Sequence, residues 1–279
     1  MSLVAVFVLS SCGSGSDNSK LSGATYVALG DSYTAAPYVP KTESAAGCIR
    51  SDHNYPHLLA KALKVTTLID RSCGGATTQN LLTPQVTLTG STVQPQDNQL
   101  TNDTDLVTVG IGGNDSGIAG TLFYYCAAGT SCNTNTVAAN AATALKGLEQ
   151  AVVTGLKGIR SRAPNARIVL VGYPQIAPST GSCPLLPPLA TTDLPLFNKI
   201  NLGLNAALEK AAKATTVTFV DVYGPSKGHD ICSSDPWVNG TVDNLTKAAA
   251  LHPFAREQEA VAKLIEKALS RSQTGAGSA

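Results

Sequence analysis

The sequence has few charged residues, and their charges nearly cancel. Only 14% of the 279 residues are charged, and 20 Lys and Arg against 19 Asp and Glu leave a formal net charge of +1. No basic stripe with interleaved aromatic residues is present, so the chain lacks the electrostatic signature of a nucleic-acid-binding protein. The length suits one large domain with a full hydrophobic core, and no internal repeat or second periodic block is present.

The motifs of metal and dinucleotide sites are missing as well. There is no Cys-x-x-Cys and no clustered Cys/His pair, which argues against a zinc site. The glycines of the segment 110–115 do not complete G-x-G-x-x-G, because Ser116 stands where the last glycine would fall. A Gly-x-Ser-x-Gly elbow is also absent, since its last position around Ser32 is Thr34. We therefore expect no metal and no organic cofactor.

No apolar run near the N-terminus is long enough to span a bilayer. Residues 3–9 are apolar and lead into Leu9-Ser10-Ser11-Cys12, which resembles the lipobox of bacterial lipoproteins. An ordinary signal peptide has a Lys or Arg before its apolar run, but none precedes this one. The favoured interpretation is an exported protein held at the cell envelope by a diacylated Cys12. A cleaved ordinary signal or a disordered tail is the alternative.

The cysteine count favours an oxidising compartment. Of the seven cysteines, six remain when Cys12 is set aside, and an even number in an exported chain suggests three disulfides. Cys126 and Cys132 flank a short segment of small residues and form a natural local loop. The spacing leaves the pairing of the other four open: Cys48, Cys73, Cys183 and Cys232.

Apolar strand-like segments alternate with helical patterns. Strands are predicted at 25–29, 65–69, 106–111, 166–171 and 217–220, and helices at 55–63, 138–162, 194–214 and 253–269. This alternation is typical of an α/β fold with a central parallel sheet covered on both faces. We assign residues 1–23 to the signal and tether, 24–270 to the domain and 271–279 to a disordered tail.

A serine follows the first strand in the stretch Gly30-Asp31-Ser32-Tyr33. These residues are common turn formers, but a serine at the carboxyl edge of such a sheet is also well placed as a nucleophile. It then needs a base and donors for an oxyanion.

Three later features can meet that need. A backbone N–H in the segment around Gly75 can approach a ligand closely, and the Asn114 amide is a neutral donor. His252 precedes Pro253 at the start of the last predicted helix, which leaves it in a loop at the sheet edge. Three other histidines compete for the role of base: His53, His57 and His229.

Taken in order, these blocks resemble the SGNH (GDSL-type) hydrolases, and most of all their secreted actinobacterial lipase and esterase branch. The resemblance covers roughly residues 24–270 and implies a flavodoxin-like α/β/α sandwich. It implies Ser32 as nucleophile and His252 as base. It further implies an oxyanion hole made by the backbone N–H groups of Ser32 and Gly75 and the side chain of Asn114. For the cysteines it implies the pairs Cys48–Cys73, Cys126–Cys132 and Cys183–Cys232.

One departure from the family concerns the group that orients the histidine. The last block is usually Asp-x-x-His, but Ala249 stands three residues before His252. The natural substitute is the backbone carbonyl of Ala249, with Asp243 as the alternative. The resemblance also implies that neither Asp31 nor Asp115 is a catalytic acid, because such positions in this family mostly hold loops together.

The sequence thus predicts an exported, monomeric serine esterase or lipase that acts on acyl esters or lipids. Leu185, Leu186, Leu189 and Leu194, in or beside the long segment 174–192, favour an acyl chain as ligand. One alternative is an acetyl-esterase acting on carbohydrate or cell-envelope glycan. Another is a lipoprotein that binds lipid or glycan without turnover.

Overall fold

The computed structural model describes residues 21–118, 135–186 and 193–274, and five of its strands form one parallel sheet. In chain order the strands are β1 (Thr25–Gly30), β2 (Thr42–Glu43), β3 (Arg50–Ser51), β4 (Thr67–Asp70), β5 (Gln85–Val86), β6 (Thr92–Val93), β7 (Leu106–Gly110), β8 (Arg167–Val171) and β9 (Thr218–Val220). The helices are α1 (Ser32–Ala35), α2 (Tyr55–Leu63), α3 (Asn135–Arg162), α4 (Leu194–Ala214) and α5 (Ala255–Thr274).

The sheet order is β4-β1-β7-β8-β9, which is 2-1-3-4-5 when the five strands are numbered along the chain. This is the flavodoxin-like order, and its topological switch point lies between β1 and β7. The two remaining strand pairs, β2–β3 and β5–β6, are short antiparallel hairpins in the connecting loops. The predicted α/β fold with a parallel sheet is therefore confirmed.

Strand alternation divides the core into two layers. In β1, Val27 and Leu29 belong to the cluster that includes the buried faces of α3 and α4. Tyr26 and Ala28 belong to the opposite cluster, with α2 and α5. Because successive side chains of a strand point to opposite faces, an almost wholly apolar strand must be covered on both sides, and the three α/β/α layers follow.

Most element bounds fall within three residues of those predicted. The largest difference is at α5, which begins at Ala255 instead of Pro253 and continues to Thr274. Pro253 forms an isolated bridge with Val238, and the N–H of Phe254 donates to the carbonyl of Trp237 at 2.8 Å. Because Pro253 and Phe254 make these bridge contacts, the helix begins only at Ala255. Residues 271–274 are helical, whereas we expected them in the tail.

Two disulfides lie in the described residues, Cys48–Cys73 and Cys183–Cys232. Both are pairs that the family resemblance implies. Cys126, Cys132 and Cys12 lie outside the described residues. No helix within those residues is long and apolar enough to cross a membrane.

Candidate active site

The chain turns sharply at the carboxyl end of β1, and this turn carries Ser32. Asp31 is the N-cap of α1, and its Oδ1 accepts a hydrogen bond of 2.9 Å from the N–H of Tyr33. Gly30 has a φ of +156°, and a Cβ there would lie 2.6 Å from the carbonyl oxygen of Gly110. Only glycine therefore lets β1 and β7 approach each other while the chain bends towards the serine.

A buried amide clamps the last residue of β1. Gln96 accepts a hydrogen bond of 2.7 Å from the N–H of Gly30 and donates one of 2.8 Å to its carbonyl. The neighbouring strand β4 pairs with β1 only as far as Asp70 opposite Ala28, and beyond it the N–H of Cys73 also donates to the Gly30 carbonyl at 2.9 Å. The clamp fixes the backbone two residues before Ser32.

The loop that follows β4 presents Gly75. Its backbone has a φ of +74°, and the carbonyl of the preceding Gly74 accepts a hydrogen bond of 2.8 Å from Nε2 of Gln85. The N–H of Gly74 donates to the backbone carbonyl oxygen of Cys48 at 2.9 Å, beside the Cys48–Cys73 disulfide. In the described part of the chain, neither the N–H of Gly75 nor that of Ser32 donates to a protein acceptor. Both donors are available to a ligand.

Asn114 follows β7 and lies next to the same loop. One Nδ2 hydrogen is donated to the carbonyl oxygen of Ala76 at 2.9 Å. Because an amide nitrogen has two hydrogens, this bond orients the side chain and leaves a second donor. The neighbouring Asp115 accepts from the backbone and the hydroxyl of Thr78. Asp115 thus holds two loops together.

His252 is oriented by a main-chain carbonyl. Its Nδ1 lies 2.7 Å from the carbonyl oxygen of Ala250, which assigns the proton to Nδ1 and leaves Nε2 as an acceptor. Our expectation of the Ala249 carbonyl is therefore wrong. That oxygen accepts from the N–H of His252 at 3.2 Å and from Nδ2 of Asn239 at 3.0 Å. The left-handed backbone of Leu251, with a φ of +61°, turns the ring towards residue 250 instead.

Asp243, the alternative acid, makes no hydrogen bond to the ring. Its Oδ1 accepts from the N–H of Ala250 at 2.7 Å, so it holds the turn that carries the orienting carbonyl. Burial lowers the pKa of His252, while the Ala250 carbonyl and the charge of Asp243 act in the opposite direction. Burial prevails, so the imidazole is neutral at neutral pH and Nε2 can accept a proton.

Sequence reasoning missed Tyr173, which follows β8. Its hydroxyl donates to Oδ2 of Asp31 and accepts from the N–H of Gly113 at 2.9 Å. Burial raises the pKa of Asp31 to about 7, and the hydrogen bonds from Tyr173 and the N–H of Tyr33 oppose that rise. A lone tyrosine after a strand gives no signal of such a contact in the sequence.

The predicted residues meet at one cavity of about 390 Å³. Ser32, Gly75, Asn114 and His252 all line it. No direct hydrogen bond joins Ser32 to His252 within the described residues; catalytic hydrogen bonds commonly tighten only when substrate is bound.

The cavity walls are largely apolar, but they do not come from the leucines that we expected. Leu186 and Leu194 are buried in the core, and Leu185 is half-exposed. Leu189 lies outside the described residues. The apolar lining instead comes from the following side chains: Pro37, Ile49, Leu88, Ile118, Ile176 and Leu204.

The other three histidines are engaged elsewhere. His53 contacts Asp52, His57 contacts Asn54, and His229 stacks on Trp237. None of the three lines this cavity. Among the residues that the structure describes, no three His, Cys, Asp or Glu residues are grouped so that they could hold a metal ion.

Comparisons with known proteins show which sequences and structures this chain is similar to. A family model described as GDSL-like Lipase/Acylhydrolase matches residues 28–259. Lipase 2 of Streptomyces coelicolor is 39% identical over 229 residues, which are 75% of this chain and 73% of that protein. A lipase of Streptomyces rimosus is 32% identical over 247 residues, 86% of this chain and 84% of that protein.

Solved structures are similar as well. The extracellular lipase from Streptomyces rimosus superposes with a TM-score of 0.72 at 30% identity, over 88% of this chain and 99% of that one. The phospholipase A1 from Streptomyces albidoflavus gives a TM-score of 0.74 at 27% identity, over 89% and 100% of the two chains.

Proposed function

Because the chain belongs to the GDSL-like lipase/acylhydrolase family and is thus a carboxylic ester hydrolase, we propose that it cleaves acyl esters through an acyl-enzyme on Ser32, with His252 as general base. The observation that carries this proposal is the common cavity, where a serine, a neutral imidazole and three oxyanion donors converge. This set of groups is what nucleophilic acyl transfer requires.

The reaction has two halves. In the first, Nε2 of His252 takes the hydroxyl proton while the Ser32 oxygen attacks the ester carbonyl. The resulting oxyanion accepts hydrogen bonds from the N–H groups of Ser32 and Gly75 and from Nδ2 of Asn114. The histidine then gives its proton to the leaving alcohol, which breaks the ester bond. In the second half water attacks the acyl-enzyme by the same route, so a carboxylic acid is released and Ser32 regains its proton.

The substrate class follows from the walls of the cavity. Aliphatic side chains such as Ile118, Ile176 and Leu204 surround the space beside Ser32, and such walls favour an acyl chain by burying apolar surface. We therefore assign esters with an extended acyl chain, including lipids, as substrates. An acetyl-esterase would need only a small acyl site, and the cavity of about 390 Å³ exceeds that need.

The cellular location is part of the same proposal. The Streptomyces rimosus relative is described as an extracellular lipase, and two disulfides suit an oxidising compartment. We place this protein outside the cytoplasm, held by a lipidated Cys12 and acting as a monomer. Mass spectrometry of membrane fractions tests the anchor, because an unmodified N-terminus on a soluble wild-type protein contradicts it.

A fluorophosphonate probe and an ester series test the chemistry together. We expect the probe to label Ser32 in the full-length protein and p-nitrophenyl esters to be hydrolysed from acetate to palmitate, with the longer chains preferred. Ser32→Ala should lower kcat by about 10⁴-fold or more. Ser91→Ala, at an exposed serine outside the cavity, is the matched control and should keep full activity. If Ser32→Ala still hydrolyses these esters at the wild-type rate, the proposed mechanism is wrong.

A further inference from the structure

The hydroxyl of Tyr173 contacts both the nucleophile turn and the Asn114 loop. It donates to Oδ2 of Asp31 and accepts from the N–H of Gly113 at 2.9 Å. The tyrosine is 3% exposed, so neither bond competes with bulk water. One buried hydroxyl thereby satisfies a carboxyl oxygen and a backbone N–H.

Each partner sits one residue away from a proposed catalytic group. Asp31 directly precedes Ser32, and its other carboxyl oxygen caps the N–H of Tyr33. Gly113 directly precedes Asn114, the proposed oxyanion donor. A shift of the hydroxyl is therefore transmitted through single backbone links to both groups.

Tyr173 is itself held firmly. Its N–H donates to Oδ1 of the buried Asn205 at 2.9 Å. Its ring packs edge-on against the ring of Tyr33, with 5.2 Å between centroids. A Cβ on Gly113 would lie 3.3 Å from the tyrosine ring, so glycine permits this close approach. The hydroxyl consequently has little freedom to follow a displaced partner.

From these contacts we infer that Tyr173 is a positioning residue: its hydroxyl sets the distance between the Ser32 nucleophile and the Asn114 oxyanion donor through Asp31 and Gly113. The inference rests on the proposed function, because it takes Ser32 and Asn114 as the reacting groups. It adds a residue that does not take part in bond making or breaking but controls the geometry in which bonds are made.

The variant Tyr173→Phe in the full-length protein tests this role, since it keeps the ring and removes only the hydroxyl. We expect kcat to fall about ten- to a hundredfold, because small misplacements of reacting groups lower the rate by such factors. KM should stay within about twofold of the wild-type value. The second-order rate of fluorophosphonate labelling at Ser32 should fall by a similar factor, because the probe also needs the nucleophile and oxyanion donors aligned.

Tyr26→Phe is the matched control. The Tyr26 hydroxyl is also buried, it hydrogen-bonds to Oγ1 of Thr108 at 2.6 Å, and the residue does not line the cavity. We expect Tyr26→Phe to lower the melting temperature about as much as Tyr173→Phe but to leave kcat unchanged. If kcat falls equally in the two variants, the Tyr173→Phe effect comes from lost stability alone, and the inference is wrong.

A double-mutant cycle with Asp31→Asn identifies the route of the effect. If Tyr173 acts through Asp31, the double variant should lose little more than the poorer single variant. Fully multiplicative losses, or a Tyr173→Phe variant that raises only KM, would contradict the inference. Labelling of Ser32 in the wild type separates the two proposals. An unlabelled wild type defeats the proposed function, whereas equal labelling rates of wild type and Tyr173→Phe defeat only this inference.

Discussion

Nδ1 of His252 lies 2.7 Å from the main-chain carbonyl oxygen of Ala250, so a neutral dipole orients the ring of the proposed base. A carbonyl fixes the tautomer as a carboxylate does, but it brings no full negative charge to an imidazolium. The nearest acid in this turn, Asp243, is bonded to the N–H of Ala250 instead. These contacts favour the proposed Ser-His dyad over a triad.

The first prediction concerns the acid limb of the pH profile. Burial lowers the pKa of His252, and the base works only when deprotonated. In the wild type, kcat/KM for a p-nitrophenyl ester should thus rise with pH through a midpoint below the ordinary histidine value of about 6.5.

The variant Asp243→Asn checks the origin of that midpoint. The Asp243 charge raises the pKa of His252, so its removal should move the acid limb to still lower pH. The plateau of kcat should change by less than about tenfold, because the carbonyl of Ala250 still orients the ring. Loss of kcat by orders of magnitude would show that Asp243 is the acid of a triad.

The second prediction concerns acyl-chain length. Leu88 lines the cavity and is 76% exposed, so Leu88→Ser should cost little stability. We expect KM for the palmitate ester to rise about three- to tenfold, as for loss of about 1 kcal/mol of apolar contact. The acetate ester should be unaffected. Leu245→Ser, at a leucine that is 66% exposed but does not line the cavity, is the control. Equal effects on acetate and palmitate would contradict an acyl chain running past Leu88.

The third prediction separates the two disulfides. Cys48–Cys73 closes a sequence separation of 25 residues and Cys183–Cys232 one of 49. Replacement of either pair by alanine should destabilise the fold by about 3–4 kcal/mol on loop-entropy grounds, slightly more for the longer loop. Denaturant unfolding measures this cost.

Their kinetic effects should differ. Cys48 accepts a hydrogen bond from Gly74 next to Gly75, so loss of the first pair should also lower kcat. Loss of the second pair should leave kcat near the wild-type value at a temperature where the variant is folded. A larger kcat loss in the second variant would show that the first disulfide does not hold the oxyanion loop.

The fourth prediction concerns a buried carboxyl in α5. Glu257 is 2% exposed, and burial raises its pKa to about 8, opposed by a hydrogen bond from Gln258. The folded state therefore holds a proton that the unfolded chain has released above its pKa near 4.5. Its contribution to stability is complete below that value and is lost as pH rises towards 8.

Melting temperatures across pH 5 to 9 test this sign. The wild type should lose stability as pH rises, and Glu257→Gln, which cannot ionise, should lose less. Part of the fall in melting temperature with pH should remain in Glu257→Gln. The pKa of Asp31 is also raised, to about 7, so ionisation of Asp31 lowers stability in the same direction. An unchanged slope in Glu257→Gln would show that this carboxyl is already ionised in the folded protein.

The sequence predicts the layers of this fold because their cause is local. Strands such as β7 are apolar on both faces, and α2 and α4 carry clear helical periodicity, so two predicted helices match the structure residue for residue. The blocks around Ser32, Gly75, Asn114 and His252 stand out for a similar reason. Glycine and a reactive side chain close to a strand end are visible in the sequence.

The supporting contacts were not predictable because they join distant parts of the chain. Gln96 is 66 residues from Gly30, and Tyr173 is 142 residues from Asp31. Nothing in the neighbourhood of either side chain in the sequence specifies its partner. Only the packed sheet brings these groups together.

Because the carbonyl of residue 250 orients the ring of His252, we expect this turn to tolerate mutation. A side-chain acid is lost by a single codon change, but every amino acid carries a backbone carbonyl. Substitutions at 249 and 250 that keep the turn should therefore leave His252 oriented. The vulnerable position is Leu251, whose left-handed φ of +61° aims the ring. A β-branched residue there would disturb catalysis without touching any reacting group.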